Sequence, residues 1–273
     1  MKKNSIFVII IFVLFILSLS STVLAQELEI TYLNYYTENR IDISELRYYG
    51  NPTPNLFDYK SVIVGEIRNN SSTDMTSVKI IIELYDPEEQ EMLATGTARP
   101  LASTIKAGET IPFSFPISAL QPHSLSEQAI RDYLSLEDQS QDWDEKINLF
   151  TDPRFEFYLS EYREVEHPSD NNVFNHRDLE IINLQRMRES NEQVYYDFSV
   201  QQIDNSAFRE IYGGGLAVYG NANNLIYISS LSRKNNNFAA EEFYTVDYNF
   251  SIPKHIDKYA SEFEFFAIGT LVD

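Results

Sequence analysis

The fold of this chain is decided by the stretch Val78-Lys79-Ile80-Ile81-Ile82-Glu83-Leu84-Tyr85. Its apolar residues fall on alternate positions, which is the two-residue period of a β-strand with one buried face. Those positions are Val78, Ile80, Ile82 and Leu84. Asp86-Pro87 follows at once, and proline ends the strand because it cannot donate a ladder hydrogen bond. The stretch therefore predicts a half-buried strand.

Two later stretches have the same period, and they belong to a repeat. Apolar residues alternate over 111–117 and again over 246–252, a shift of 135 positions. Other matches are Asn70-Ser71 with Asn205-Ser206, Tyr85 with Tyr219, Leu28-Glu29-Ile30 with Leu179-Glu180-Ile181, and Phe155-Glu156-Phe157-Tyr158 with Phe263-Glu264-Phe265-Phe266. Matches in the same order along the chain indicate a duplicated unit.

The composition and the turns between these segments predict the fold class. Eighteen tyrosines, eighteen phenylalanines and only nine glycines favour strands, and short alternating strands are typical of a sandwich. We therefore predict an all-β fold of two immunoglobulin-like antiparallel β-sandwich domains, at residues 27–165 and 177–273. A polar linker at 166–176 joins them, so we expect each domain to fold by itself.

Three segments of the first domain resemble the FxLYD domain family. They are Val64-Gly65-Glu66-Ile67-Arg68-Asn69-Asn70-Ser71-Ser72, Ile82-Glu83-Leu84-Tyr85-Asp86 and Ala107-Gly108-Glu109-Thr110-Ile111-Pro112-Phe113. The resemblance is best in residues 62–115 and weaker in a second, divergent copy at 194–253, and Ile82 stands at the position of the family's name-giving phenylalanine. It implies a small immunoglobulin-like β-sandwich of exported or envelope prokaryotic proteins. It carries over no catalytic residue.

Residues 1–25 have the three parts of a secretory signal peptide. Two lysines form the positive n-region, residues 6–17 are apolar, and Ala25 precedes the expected cleavage site at Gln26. The apolar run is shorter than the roughly 20 residues that span a bilayer, and an uncleaved N-terminal membrane anchor is the alternative. Both interpretations predict a secreted protein or one of the extracytoplasmic cell envelope. After cleavage, no segment is expected to insert into the membrane.

Composition and motifs exclude several classes of function. The formal net charge of −20 excludes nucleic acid and anionic lipid as partners. The chain has no cysteine, its four histidines lack zinc-ligand spacing, and no nucleophile elbow is present. Gly213-Gly214-Gly215 lacks the Lys-Ser/Thr of a phosphate-binding loop and predicts a bulge or a close approach between strands. We therefore predict a protein that is not an enzyme, with no catalytic residue, cofactor or metal site.

Two insertions in the first domain are the predicted place of recognition, because loops on a rigid sandwich commonly bind partners. The insertion at about 34–58 is rich in aromatics, including Tyr48 and Tyr49. The insertion at 118–152 predicts a short amphipathic helix and an acidic loop that carries Trp143. Its acidic residues leave calcium open as a ligand, although their spacing is not that of an EF-hand. The alternative for the aromatics is that they cover their own core or bury the contact between the domains.

Three functions are consistent with these observations. The first is an exported, non-catalytic interaction module that binds an extracellular or envelope protein or a surface polymer through residues such as Tyr48, Tyr49 and Trp143. The second is a carbohydrate-binding module, which needs exposed coplanar aromatics. The third and weakest is an unrecognised hydrolase, which needs a pocket with converging carboxylates or histidines.

Overall fold

The computed structural model describes residues 27–38, 61–85, 91–102, 104–122, 155–164, 179–202, 208–231 and 245–271. In these parts the chain is mostly β-strand in antiparallel sheets, with almost no helix. The all-β prediction is therefore confirmed. The immunoglobulin-like class and the division into two domains stay predictions.

In the first half of the chain the described strands pair into two sheets. Sheet A has the order β1-β2-β6, formed by β1 (Leu28–Thr37), β2 (Ser61–Asn69) and β6 (Thr110–Pro116). Sheet B has the main order β8-β3-β4-β7, with β5 pairing with the start of β3. Its strands are β3 (Met75–Tyr85), β4 (Met92–Ala98), β5 (Thr104–Ile105), β7 (Gln121–Pro122) and β8 (Phe155–Glu164). A 3-10 turn, Ile117–Ala119, lies between β6 and β7.

In the second half the described strands also pair into two sheets. Sheet C has the order β9-β10-β13, formed by β9 (Leu179–Glu189), β10 (Gln193–Gln202) and β13 (Thr245–Pro253). Sheet D has the order β14-β11-β12, formed by β11 (Phe208–Gly220), β12 (Leu225–Leu231) and β14 (Ala260–Leu271). One helical turn, α1 (Lys254–Asp257), lies between β13 and β14.

The second half repeats the strand order and the pairing register of the first. Sheet C matches sheet A, and sheet D matches β8-β3-β4 of sheet B. In the first half Leu84 pairs with Phe155, Ile82 with Phe157 and Ile30 with Ile67. At the equivalent positions of the second half, Val218 pairs with Phe263, Leu216 with Phe265 and Ile181 with Val200. The repeat that the sequence predicts is thus present in the ladders, and it assigns each position in one half to an equivalent position in the other.

Sheet A is buried on both of its faces. Along β2, every residue from Ser61 to Gly65 is buried. One face meets sheet B, where the Phe115 ring of β6 covers Gly96 of β4. The other face carries Val62, Val64 and Glu66 and meets sheet D, where Glu66 hydrogen-bonds to Tyr219. Strands that are covered on both sides have continuous apolar runs rather than alternation, as Val62-Ile63-Val64 does.

Side chains of β1 cover the outer edge of β12. The Asn34 amide donates to the Leu225 carbonyl and the Tyr36 hydroxyl donates to the Ile228 carbonyl, each at 3.1 Å and buried. The Tyr36 ring also lies 4.7 Å from the Tyr227 ring. In the described ladders β12 pairs with β11 alone, so these side chains satisfy carbonyls that an uncovered edge would present to other chains.

Sheet C packs on the remaining face of sheet D through aromatic rings. Phe198 and Tyr248 contact Phe265 with ring centroids 6.1 and 5.3 Å apart, and Tyr196 and Phe250 contact Phe263 at 5.5 and 6.0 Å. The sheets therefore lie in the order B, A, D, C. The outer faces of the stack belong to sheets B and C.

One tyrosine hydroxyl joins two carboxylates between sheets A and D. Tyr219 on β11 hydrogen-bonds to Glu66 of sheet A and to Glu264 of β14. Burial is the main cause that raises the pKa of Tyr219 well above its ordinary value, and the two carboxylates raise it further. Burial also raises the pKa of Glu66 above its ordinary value of 4.5, although the hydrogen bond from Tyr219 opposes this shift. Burial therefore outweighs the hydrogen bond from Tyr219 in its effect on the pKa of Glu66.

We expect Gly96→Val to destabilise the protein by about 1–3 kcal/mol, because a Cβ at this position overlaps the Phe115 ring and overpacking of a core costs about that much. The measurement is urea unfolding followed by circular dichroism. Thr97→Val is the control, since Thr97 is exposed on the opposite face of β4. Equal unfolding midpoints for the two variants would contradict the packing of sheet A on sheet B.

We expect the wild type to lose stability as the pH rises above about 4.5, because the buried Glu66 then ionises. The variant Glu66→Gln should lack this loss. A carboxyl whose pKa is raised in the folded state stabilises it fully below the unfolded pKa and loses that contribution as the pH rises through the folded pKa. The free energy of unfolding of the wild type should therefore fall relative to Glu66→Gln between pH 4.5 and pH 8. Glu180→Gln on exposed β9 is the control, and an equal pH dependence for all three proteins would contradict the prediction.

Candidate functional site

The outer face of sheet B combines tyrosines, glutamates and threonines. Its members are Ile81, Glu83 and Tyr85 of β3, Thr95 and Thr97 of β4, and Glu156 and Tyr158 of β8. They share this face because the period of β3 turns Ile80, Ile82 and Leu84 into the core. In the pairing register, Glu83 lies between Thr95 on β4 and Glu156 on β8. We call these seven residues the tyrosine–glutamate face.

The two glutamates of this face are held by the two tyrosines. The Tyr85 hydroxyl donates to Glu83 Oε2 at 2.7 Å, and the Tyr158 hydroxyl donates to Glu156 Oε2. The hydrogen bond to Glu83 raises the pKa of Tyr85, and the hydrogen bond to Glu156 raises the pKa of Tyr158 well above its ordinary value. Both phenols therefore stay protonated near neutral pH, and they fix the carboxylates as hydrogen-bond acceptors.

The equivalent face in the second half lies under sheet A. Its residues are Gly215, Ala217, Tyr219, Ile228, Glu264 and Phe266. Tyr219 is 8% exposed and Phe266 is 1% exposed. By contrast Tyr158, the equivalent of Phe266, is 41% exposed. The same face of the repeat is thus covered by a sheet in one half, whereas no described strand covers it in the other.

Residue size contributes to this difference between the halves. The Leu101 side chain of the first half packs against Gly215, and a Cβ there would lie 2.8 Å from Leu101 Cδ1. Ile81 and Glu83 occupy the positions equivalent to Gly215 and Ala217. The sequence predicts a bulge or a close approach between strands at Gly213-Gly214-Gly215. A register shift lies between Ile211 and Gly213, and the close neighbour of Gly215 is the Leu101 side chain, which lies outside the strands.

A shallow polar depression of about 380 Å³ lies on sheet B, lined by Ser77, Ser160, Tyr162 and Arg163. It forms where the β3–β8 register shifts twice, once on each side of Lys79. Ser77 has a φ of 57°, a left-handed conformation that non-glycine residues seldom adopt. The Tyr162 hydroxyl donates to Glu27 Oε2 at 3.0 Å. The depression presents hydroxyl groups beside the tyrosine–glutamate face.

The outer face of sheet C is more polar than the face of sheet A that meets sheet D. Asp197, Asp247 and Asn249 are exposed on it, and Asp247 Oδ1 accepts a 2.7 Å hydrogen bond from Ser199. The Arg188 guanidinium lies 4.2 Å from the Tyr195 ring centroid. Exposed tyrosine and carboxylate pairs therefore occur on sheet B, whereas sheet C presents aspartates.

The site residues that the sequence predicts lie outside the described residues. This applies to Tyr48, Tyr49 and Trp143, to Ala25 and Gln26 at the cleavage site, and to most of the insertions at 34–58 and 118–152. Of the four histidines the structure describes His255, whose Nε2 donates to the Thr37 carbonyl at 3.0 Å.

Sequence reasoning missed the tyrosine–glutamate face, although the repeat contained a signal for it. The matched segments Phe155-Glu156-Phe157-Tyr158 and Phe263-Glu264-Phe265-Phe266 keep the glutamate but differ at the last residue. That residue lies on the face of the strand opposite Phe157 and Phe265, and it is an exposed tyrosine in the first half and a buried phenylalanine in the second. A comparison of the outward positions would have indicated the difference.

Within the described residues, no group of three or more His, Cys, Asp or Glu side chains is placed to hold a metal ion. The same part of the chain contains no helix with the length and apolar content that a membrane span requires.

Comparison with protein-family models found no match to the chain, and comparison with curated proteins found no similar sequence. The resemblance to the FxLYD domain therefore stays a prediction.

Proposed function

We propose that this chain is an exported, non-catalytic interaction module of the cell envelope or the secreted fraction, and that it binds a protein or a surface polymer through the tyrosine–glutamate face. One observation carries the proposal. The repeat uses this same face in its second half to bind sheet A, and in the first half no described strand covers the face and Tyr158 is exposed. A surface that the fold already uses for recognition is a better candidate than an arbitrary exposed patch.

The side chains of the face suit recognition. Tyr158 offers a large, rigid contact area with little conformational entropy to lose, and tyrosine is enriched where interfaces bind most strongly. Its orientation is restricted by the hydrogen bond to Glu156. A side chain that is already ordered before binding costs less to immobilise. The face is therefore partly preorganised.

The proposed architecture is two immunoglobulin-like sandwiches of the FxLYD type. The repeated strand order supports this assignment, since sheets A and B and sheets C and D give the same arrangement twice. In such architectures sheet faces and loops bind partners, and no catalytic residue is implied. The proposal of an exported protein rests on the signal peptide predicted at residues 1–25.

A carbohydrate-binding module is the second candidate. Tyr158, Glu83 and Thr97 favour it, because exposed aromatic rings with nearby carboxylate and hydroxyl groups can bind sugar faces and hydroxyls. The carboxylates restrict such a ligand to neutral or positively charged polymers. A protein partner accounts better for the sheet that covers the equivalent face.

We expect Tyr158→Ala to weaken binding by more than about fivefold, since truncation of a central interface tyrosine commonly costs over 1 kcal/mol. The chain, immobilised after removal of its signal, is exposed to an envelope extract that has been separated into a protein fraction and a polysaccharide fraction. Components retained by the wild type and by the variant are compared by mass spectrometry and sugar analysis.

Tyr195→Ala on the outer face of sheet C is the matched control, and we expect it to retain the same components as the wild type. Retention in the polysaccharide fraction alone would favour the carbohydrate-binding candidate. Equal retention by Tyr158→Ala and the wild type would place recognition elsewhere on the molecule.

A further inference from the structure

The tyrosine–glutamate face has two carboxylates at its centre. Glu83 and Glu156 are direct neighbours across the β3–β8 ladder, and like charges directly opposite on a sheet destabilise it. The nearest basic residue along β3, Lys79, is paired in the register with Glu161 rather than with Glu156. A positive group placed between Glu83 and Glu156 would relieve the repulsion and gain two acceptors.

The tyrosines of the face orient these carboxylates but do not neutralise them. In the second half, Tyr219 reaches across to Glu66 of the covering sheet. In the first half, Tyr85 and Tyr158 donate to glutamates of their own sheet. A covering sheet on this side therefore meets carboxylates whose remaining lone pairs accept from a donor, and a lysine or arginine supplies both the donor and the opposite charge.

Strands β10 and β13 of another copy's outer sheet do not supply that charge. Sheet C is the equivalent of sheet A, so a second copy that docked as sheet A docks on sheet D would use its sheet C. Asp197 stands in sheet C where sheet A has Val64, and Asp247 stands where sheet A has Pro112. Aspartates against Glu83 and Glu156 are repulsive, and Arg188 of β9 already lies over the Tyr195 ring of its own sheet. Both observations disfavour a second copy as the occupant.

We infer that the tyrosine–glutamate face binds a β-sheet face of a partner protein that places a lysine or arginine between Glu83 and Glu156. This inference rests on the proposed function and specifies its partner. The partner's sheet lies on sheet B as sheet A lies on sheet D. The partner's basic side chain lies between Glu83 and Glu156, where the negative charge of the two carboxylates favours a cation.

The experiment uses a photo-crosslinking residue, p-benzoylphenylalanine, placed at Thr97 in the full-length chain and expressed in the organism that encodes it. Thr97 is exposed on the face and lies next to Thr95, which pairs with Glu83. Asn249 on the outer face of sheet C is the matched control position. Irradiation of intact cells is followed by mass spectrometry of the adducts.

We expect an adduct at position 97, and none at 249, with a protein segment that forms a β-strand and carries a lysine or arginine. Glu83→Lys should lower the adduct yield by about tenfold or more, as expected for loss of a close charge pair. Changing the partner's basic residue to glutamate should restore the yield with Glu83→Lys. Circular dichroism verifies that the variants are folded. The cross-link yield of Glu83→Gln separates loss of the charge from its reversal.

Other outcomes overturn the inference. An adduct with a second copy of the chain, or an adduct yield that Glu83→Lys leaves unchanged, contradicts the partner chemistry. A polysaccharide adduct overturns the inference but leaves the proposed binding face in place. Absence of any adduct at position 97, together with full retention by Tyr158→Ala in the fractionation experiment, overturns both.

Discussion

The structure depends on the burial of sheet A between sheets B and D. Its central strand β2 is apolar on both faces, so sheet A is the layer that holds the two halves of the chain together. Each fully buried valine or isoleucine contributes about 1.5–3 kcal/mol, and Val62, Ile63 and Val64 lie in consecutive positions. Two polar groups that enter this layer, the Asn34 amide and the Tyr36 hydroxyl, are satisfied by carbonyls of β12. Buried polar groups without partners would cost more than the contact gains.

The repeat explains how one set of ladders serves two different purposes. Sheets B and D keep the same register and the same inward aromatic residues, while their other faces have diverged. In sheet D that face has small residues at Gly215 and Ala217, and it accepts a neighbouring sheet. In sheet B the same positions hold Ile81 and Glu83, and no strand in the described part of the chain covers the face. On this face the two halves of the repeat thus differ in a few outward side chains, while the central pairs of the ladders keep the same register.

The sequence predicted what depends on local periodicity. Alternation identified β3, β6 and β13, and the order of matched segments identified the repeat that the ladders contain. Two features were beyond it. The contact of β1 with β12 joins residues about 190 positions apart, and nothing local distinguishes Tyr36 from the other tyrosines of its segment. The tyrosine–glutamate face was missed because a two-residue period identifies the buried side of a strand. It gives no information about the role of the other side.

The capping of β12 by Asn34 and Tyr36 has a consequence for how the chain reaches its native state. The donors lie on the first described strand and their acceptors on the twelfth, so these bonds close only after most of the polypeptide has been made. Contacts of such large sequence separation slow folding, because the entropy of closing long loops must be lost before they form. During that interval the edge of β12 is open to pairing with other chains. The interval between the synthesis of β12 and its docking against β1 is therefore a period in which this edge can pair with other chains.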